Sequence, residues 1–148
     1  MEMTEVLTGQ MKFAVANVCN NLGFIPNDKL NWKPAPTANS VLEVVNHLAG
    51  SVYGVTAKIS GDEQGAQFTP ATNAQDAKAL LQKGADNYIA MLGKLTPQDM
   101  SRTVTLPFGE VPLTVAAGVP VVEMINHHGQ ITYIETLLGD TESHLVMG

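Results

Sequence analysis

Four segments of this 148-residue chain carry apolar residues at alternating spacings of three and four, and this pattern constrains the fold more than any other feature. Such spacing places the apolar side chains on one face of an α-helix, so each segment has a side to bury. The predicted helices run from about Thr4 to Leu22, from Val41 to Ile59, from Thr72 or Asn73 to Leu95, and from Gly118 or Pro120 to Leu138. Four amphipathic helices predict an all-α four-helix bundle.

The segments between the helices carry recognisable turn and stop signals. Ser40 to Glu43 reads as a capping box at the start of the second helix, and Gly23 is a candidate C-terminal cap for the first. Residues 60–72 are polar and contain Gly and Pro, so we expect a long connection after helix 2. Alternating apolar residues around Pro107-Phe108-Gly109 predict a small hairpin-like excursion between helices 3 and 4. Trp32, the only tryptophan, is expected to pack against the bundle from the first connection.

Composition and charge exclude several classes of protein. With 45% apolar residues the chain can bury a core, and its length predicts a single domain over residues 1–148. A net charge of -6, with only 8 lysines and arginines, argues against binding to nucleic acid or to an anionic membrane surface. The single cysteine, Cys19, excludes an internal disulfide framework. It fits a reducing compartment, so we expect a cytoplasmic protein.

The fourth helix offers a carboxylate and an imidazole one turn apart. Glu123 and His127 are four residues apart, which places them within about 40° of each other around the helix. His47 lies at the edge of the apolar face of helix 2 and is a candidate third ligand. Two imidazoles and one carboxylate leave open positions on a metal such as Fe, Ni, Mn or catalytic Zn. The alternative is that His127 is a hydrogen-bonded core histidine, which is the more common role at such a position.

The remaining chemistry-bearing residues give weaker signals. His128 projects about 100° away from His127 and is interpreted as a boundary or surface residue. His144, in the C-terminal tail, is assigned no role. Cys19 is expected to be buried and inert, because no basic residue is close to it in sequence. Three residues on helix flanks are candidates to line a pocket, although such residues are usually only solvated: Tyr53, Gln130 and Tyr133.

Two motifs resemble those of one known family. Asn31-Trp32-Lys33-Pro34-Ala35-Pro36, followed by Asn39-Ser40-Val41 and then by Asn46-His47-Leu48-Ala49, resembles the opening motif of the DinB-like proteins. In that family a tryptophan- and proline-containing loop leads into a helix that carries a metal-binding histidine. The stretch from Asn126 to Ile131, with Leu138-Gly139 after it, resembles the family's last-helix motif, H-x-x-x-H-R-G-Q followed by L-G.

The resemblance implies a dimeric DinB-type bundle in which three histidines hold a divalent metal. Carried over by position, the ligands fall on His47, Glu123 and His127, with Ni, Zn or Fe as the expected ion. The sequence departs from the family at two positions, since Glu123 replaces a ligand histidine and His128 replaces the usual arginine. The site is therefore expected to be either a variant with two histidines and one carboxylate or a degenerate one. Residues expected to support the ligands are His128, Gln130 and Tyr133.

The family also implies an activity. Related proteins are transferases or isomerases that use bacillithiol or mycothiol, and the metal is thought to activate the thiol. We therefore expect a homodimeric, metal-dependent thiol S-transferase acting on a small-molecule substrate. One alternative is a hydrolase-like or binding protein without thiol chemistry. Another is a metal-free bundle that binds a small molecule or has a purely structural role.

Overall fold

The computed structural model describes residues 2–147, which form four long helices and a hairpin before the last helix. The helices are α1 (Met3–Leu22), α2 (Val41–Ser60), α3 (Ala74–Leu92) and α4 (Leu113–Leu137), and the strands are β1 (Thr103–Leu106) and β2 (Gly109–Pro112). Short 3₁₀ turns lie in the connections at Asn27–Lys29, Glu63–Ala66 and Pro97–Ser101. The predicted all-α four-helix bundle with a small hairpin is confirmed. Within residues 2–147, none of the helices has the apolar length that crossing a bilayer requires.

The first two helices lie diagonally across the bundle. Each of α1 and α2 packs extensively against both α3 and α4. The connection over residues 23–40 therefore crosses one end of the bundle, and Trp32 within it packs partly buried against the core, as predicted. The predicted apolar stripes form that core, as its fully buried members show: Val18, Val45, Leu48, Leu81, Met124 and Ile131.

The start of α2 is closed by the predicted capping box. The Ser40 hydroxyl accepts a hydrogen bond from the Glu43 backbone N–H, and the Glu43 carboxylate accepts one from the Ser40 N–H. The helix ends at Gly61, whose φ of 77° is left-handed. Gly23 also ends a helix, but its φ of -69° is right-handed. Gly23 is therefore the C-terminal cap of α1, as predicted, but it does not adopt the left-handed conformation typical of such glycines, because α1 ends through 3₁₀-type bonds from Gly23 and Phe24.

The fourth helix begins earlier than predicted. It starts at Leu113 rather than at Gly118 or Pro120, and Pro120 lies inside it. Proline is favoured in the first turn of a helix because it lacks an N–H, which made Pro120 look like a start. The Leu113 N–H donates instead to the Arg102 carbonyl oxygen at 2.8 Å, so α4 begins immediately after the second strand of the hairpin. This continuity holds the hairpin against α2 and α4.

Tyr53 belongs to the α2–α3 contact. Its side chain is buried, and its hydroxyl donates a hydrogen bond to the Leu80 carbonyl oxygen at 2.9 Å. A Cβ atom added at Gly84 would lie 2.7 Å from Tyr53 Cε2, so the two helices approach this closely only because position 84 has no side chain. The interpretation of Tyr53 as a pocket residue was therefore wrong, since the ring fills space between helices.

Candidate metal centre

The structure brings together the three side chains that the sequence singled out. His47 lies on α2, while Glu123 and His127 lie on α4. One donor atom from each of the three falls within 4.8 Å of the other two. The rings of His47 and His127 have their centroids 5.1 Å apart. Two packed helices thus present two imidazoles and a carboxylate to one small volume.

His127 is held in a defined orientation. Its ring is buried, and Nδ1 lies 2.8 Å from the Glu123 backbone carbonyl oxygen, within the same turn of α4. A carbonyl oxygen can only accept, so Nδ1 carries the proton in this hydrogen bond. The other ring nitrogen, Nε2, is then the one with a free lone pair. This is the usual arrangement of a metal-binding histidine, in which a hydrogen bond at one nitrogen fixes the ring while the other nitrogen binds the ion.

Glu123 completes the donor group from the preceding turn. Its Oε2 atom lies 3.5 Å from His127 Nδ1, and its side chain is 27% exposed. Donor atoms bound to one zinc ion at about 2.1 Å in a tetrahedron lie roughly 3.4 Å apart. The three donor atoms lie within 4.8 Å of one another, and the side chains of His47 and Glu123 are exposed and partly exposed. The donor set of two nitrogens and one oxygen fits Zn, Fe or Ni, and it leaves positions open for further ligands.

A cleft of about 510 Å³ opens beside this group, with His47 and Glu123 in its wall. Most of the rest of the lining is apolar and comes from α2, from α4 and from the hairpin turn, where Phe108 is 68% exposed. Lys58 supplies the cationic group of the lining. The sequence had not identified Phe108 or Lys58 as pocket residues. Only the docking of the hairpin onto α2 brings Phe108 to His47, whereas Lys58 lies on α2 itself, eleven residues after His47 and on the same side of the helix, so helical spacing offered a signal for it.

The predicted supporting residues lie elsewhere. His128 faces α1, where its Nε2 donates to Asn21 Oδ1 at 2.8 Å, and burial lowers its pKa, which favours the neutral ring. Gln130 and Tyr133 are exposed on the outer surface of α4, and Tyr133 is 65% exposed. None of these three is a lining residue of the cleft. The expectation that they support the ligands was therefore wrong: His128 projects about 100° away from His127 toward α1, and the side chains of Gln130 and Tyr133 extend into solvent outside the cleft.

The free thiol of Cys19 is not part of the centre. It is partly buried on α1, and its Sγ lies 3.7 Å from the Lys78 carbonyl oxygen. Burial raises its pKa to about 11, although the nearby Lys78 charge acts in the opposite direction. A thiol with such a pKa is almost fully protonated at neutral pH, so the expectation of an inert cysteine agrees with the structure.

A second group of possible metal ligands was missed by the sequence reasoning. Glu135, Asp140 and His144 come together near the C-terminal end of α4, again with donor atoms within 4.8 Å of one another. A signal was present, since Asp140 and His144 have the same four-residue spacing as Glu123 and His127. His144 lies outside the helices, however, so no periodicity indicated where its ring would be.

The family of the chain is identified by comparing its sequence with sequence models of known protein families. The model of the DinB superfamily matches residues 14–131, which include all four helices in whole or in part. The chain belongs to the DinB superfamily. This confirms the resemblance found in the two motifs. No curated protein matches the chain.

Solved structures of DinB-like proteins share this fold. The DinB-like protein YjoA from Bacillus subtilis matches with a TM-score of 0.74 and 20% identity, over 92% of this DinB-superfamily chain and 93% of its own. A DinB-like protein from Bacillus cereus matches with a TM-score of 0.68 and 16% identity, over 86% and 87% of the two chains. YfiT from Bacillus subtilis, described as a probable metal-dependent hydrolase with an unusual four-helix bundle topology, matches with a TM-score of 0.72 and 18% identity, over 92% and 87%.

Proposed function

We propose that this DinB-superfamily protein binds one divalent metal ion, Ni, Zn or Fe, through His47, Glu123 and His127. The observation that carries the proposal is the convergence of these three donors from two helices at the wall of a cleft. The hydrogen bond from His127 Nδ1 to the Glu123 carbonyl oxygen supports it, because it leaves Nε2 free and fixed. The description of YfiT as metal-dependent is consistent with it.

We further propose that the protein is a metal-dependent S-transferase that uses a low-molecular-weight thiol. A bound divalent metal would lower the pKa of a coordinated thiol and so supply a thiolate at neutral pH. In the reaction the thiol loses its proton, its sulfur forms a bond to an electrophilic carbon, and the leaving group departs with its bonding electrons. Cys19 cannot supply that sulfur, because its pKa is high and it lies on α1 away from the cleft. The thiol therefore has to be a co-substrate. We therefore also propose a cytoplasmic location, where such thiols are kept reduced.

The residues of the cleft define the class of substrate that fits. Val55, Leu106, Phe108 and Val119 provide apolar walls, and the volume of about 510 Å³ accommodates a small molecule. Lys58, whose ammonium lies 3.5 Å from the exposed Glu63, provides a positive charge on the same side. A small substrate with an apolar body and an anionic group fits this lining.

A second candidate function is metal-dependent hydrolysis, with water in place of the thiol. The observation that favours it is Glu123, since a carboxylate beside two imidazoles is a common ligand set in metal-dependent hydrolases. The structural neighbour YfiT is also described as a probable hydrolase. If neither activity exists, the remaining alternative is a metal-free bundle that binds a small molecule or has a structural role.

Metal analysis of the purified protein tests the ligand set. We expect this centre to hold one ion per chain in the wild type. That ion should be lost in His47→Ala and in His127→Ala. His128→Ala is the matched control, because it removes a neighbouring imidazole that faces α1 and should leave the ion in place. An ion count in His127→Ala equal to that of the wild type, or a lower count in His128→Ala alone, would contradict the proposed ligands.

An activity assay separates the two reactions. Bacillithiol, mycothiol and glutathione are offered with chlorodinitrobenzene as a model electrophile, and an ester substrate is tested without thiol. Thiol conjugation that disappears on chelation and returns with metal supports the transferase. Ester hydrolysis that is indifferent to thiol but sensitive to chelation supports the hydrolase. Rates that neither chelation nor His127→Ala changes would exclude both functions at this centre.

We also propose that the protein is a homodimer. The outer face of α4 carries large apolar side chains that are 46–65% exposed: Val115, Val122, Ile125, Tyr133 and Leu137. These residues lie within about 60° of Val122 around the helix, so they form one stripe. A second copy of the chain, packed helix against helix, would cover this stripe.

A further inference from the structure

The C-terminal tail and the end of α4 bring a second set of donor atoms together. Glu135 is in the last turns of α4, Asp140 follows the helix, and His144 is in the tail. His144 Nε2 lies 2.9 Å from Asp140 Oδ2 and 3.7 Å from Glu135 Oε1. These two distances bracket the roughly 3.4 Å expected between donor atoms on one zinc ion.

One carboxylate oxygen of Glu135 is buried without a hydrogen-bond partner among the described residues. The residue is only 3% exposed. Its Oε2 atom accepts a hydrogen bond from Asn21 Nδ2 at 2.8 Å, but within residues 2–147 its Oε1 atom has no hydrogen-bond partner. A buried carboxylate oxygen without a partner is costly. This same Oε1 atom lies 3.7 Å from His144 Nε2, so it points into the donor group.

The imidazole of His144 is held in place independently of the carboxylates. Phe24 stacks on the ring with the centroids 3.5 Å apart and the planes 7° from parallel. The His144 carbonyl oxygen accepts a hydrogen bond from Asn20 Nδ2 at 2.6 Å. Asn17 exchanges two hydrogen bonds with the backbone of Val146, at 2.9 and 3.0 Å. The tail is therefore fixed on α1 with its ring directed at Glu135 and Asp140.

We propose that Glu135, Asp140 and His144 form a second divalent-cation site, distinct from the centre at His47, Glu123 and His127. One nitrogen and two carboxylate oxygens suit zinc or another first-row divalent ion. The ion would provide the positive charge that Glu135 Oε1 lacks and would tie the tail to α4. Asn21, bonded to the other oxygen of Glu135, would hold that carboxylate in position. The role is structural, because the ion would join the segment that carries His144 to the bundle.

Calorimetric titration of the metal-stripped protein with zinc at neutral pH tests the site. We expect two ions per chain for the wild type, one for His144→Ala, one for His127→Ala and none for the double variant. Asp140→Asn should weaken the second site at least tenfold, whereas Glu142→Gln, a charge removal in the same tail but outside the group, should not. The proposal would be overturned if the wild type bound one ion, His144→Ala still bound it and His127→Ala did not. That result would leave the first centre intact. The reverse pattern would support the second site and overturn the first centre.

A second measurement does not depend on counting ions. Zinc should slow hydrogen exchange at the Val146 amide, which donates to Asn17 Oδ1, in the wild type and in His127→Ala. It should have no effect on that amide in His144→Ala. Exchange at Val146 that is unchanged by zinc in the wild type would show that His144 makes only an ion pair with the carboxylates, and the second site would be excluded.

Discussion

His127 Nδ1 donates to the Glu123 backbone carbonyl oxygen at 2.8 Å, so the helix turn that carries two candidate ligands also fixes which nitrogen of the imidazole is free. Glu123, four residues before His127, contributes to this arrangement in two ways. Its carbonyl oxygen orients the ring, and its side chain is the third donor of the proposed centre. Only the second of these roles depends on the identity of the residue, so a substitution at position 123 should leave the hydrogen bond that orients His127 in place.

The first prediction follows from that distinction. Glu123→Gln should weaken metal binding by at least about tenfold, because an amide oxygen is a poorer ligand than a carboxylate. Glu123→His should retain binding, since it restores a nitrogen donor at the same place on the helix. Competition with a chromophoric chelator measures both affinities. Unchanged affinity in Glu123→Gln would mean that position 123 only packs beside the site.

The second prediction concerns the contact between α2 and α3. Alanine in place of glycine normally stabilises a helix interior by about 1 kcal/mol. At Gly84 the new Cβ would lie 2.7 Å from Tyr53 Cε2, so we expect Gly84→Ala to destabilise the protein by about 1–3 kcal/mol. Gly9→Ala is the control, because a Cβ there meets no atom within 4 Å among the described residues and should stabilise α1. Urea unfolding measures both, and a stabilising Gly84→Ala would contradict the observed packing.

The third prediction is a dependence of stability on pH. The backbone N–H and hydroxyl of Thr96, together with Arg102, donate to Asp99 and lower its pKa from 3.8 to about 2. A carboxyl whose pKa is lower in the folded state stabilises the fold above its unfolded pKa, and this contribution is lost as pH falls from 3.8 through 2. Asp99→Asn should therefore be less stable than the wild type at neutral pH. The difference should shrink across that acid range in urea unfolding, and a constant difference would refute the assignment.

The fourth prediction concerns Cys19. Because burial raises its pKa to about 11, iodoacetamide should modify it far more slowly in the native protein at pH 8 than in the unfolded chain. Cys19→Ser should leave metal content and any thiol-conjugation rate unchanged. Rapid native-state alkylation, followed by mass spectrometry, would show that the thiol is accessible and would reopen its role.

The fifth prediction concerns the outer face of α4. Val122→Glu with Ile125→Glu should convert the proposed dimer to a monomer, because both side chains are more than half exposed in the single chain. Light scattering at micromolar concentration measures the mass, and the circular dichroism spectrum should stay helical. Thr8→Glu on α1 provides a control outside the stripe. A wild type that is already monomeric would reject the dimer.

Much of the bundle depends on local sequence patterns, and these could be predicted from the sequence. The stripe from Val41 to Ile59 and the capping box at Ser40 and Glu43 predicted α2 because they depend only on helical periodicity and on hydrogen bonds between near neighbours. The pair of Glu123 and His127 was predictable for the same reason. The start of α4 was not, because Pro120 carries a local signal for a helix start that the hydrogen bond from Leu113 to Arg102 overrides.

The tertiary structure decided everything that depends on segments distant in sequence. The diagonal placement of α1 and α2 puts α4 between them, so His127 meets His47 on one side while His128 meets Asn21 on the other. The docking of the tail brings His144 to Glu135, and no local pattern encodes that contact. Periodicity determines which face of a helix each side chain occupies. Which partner covers that face depends on how the whole chain packs, because burial of apolar surface is non-directional and leaves the choice to the fit of all the helices together.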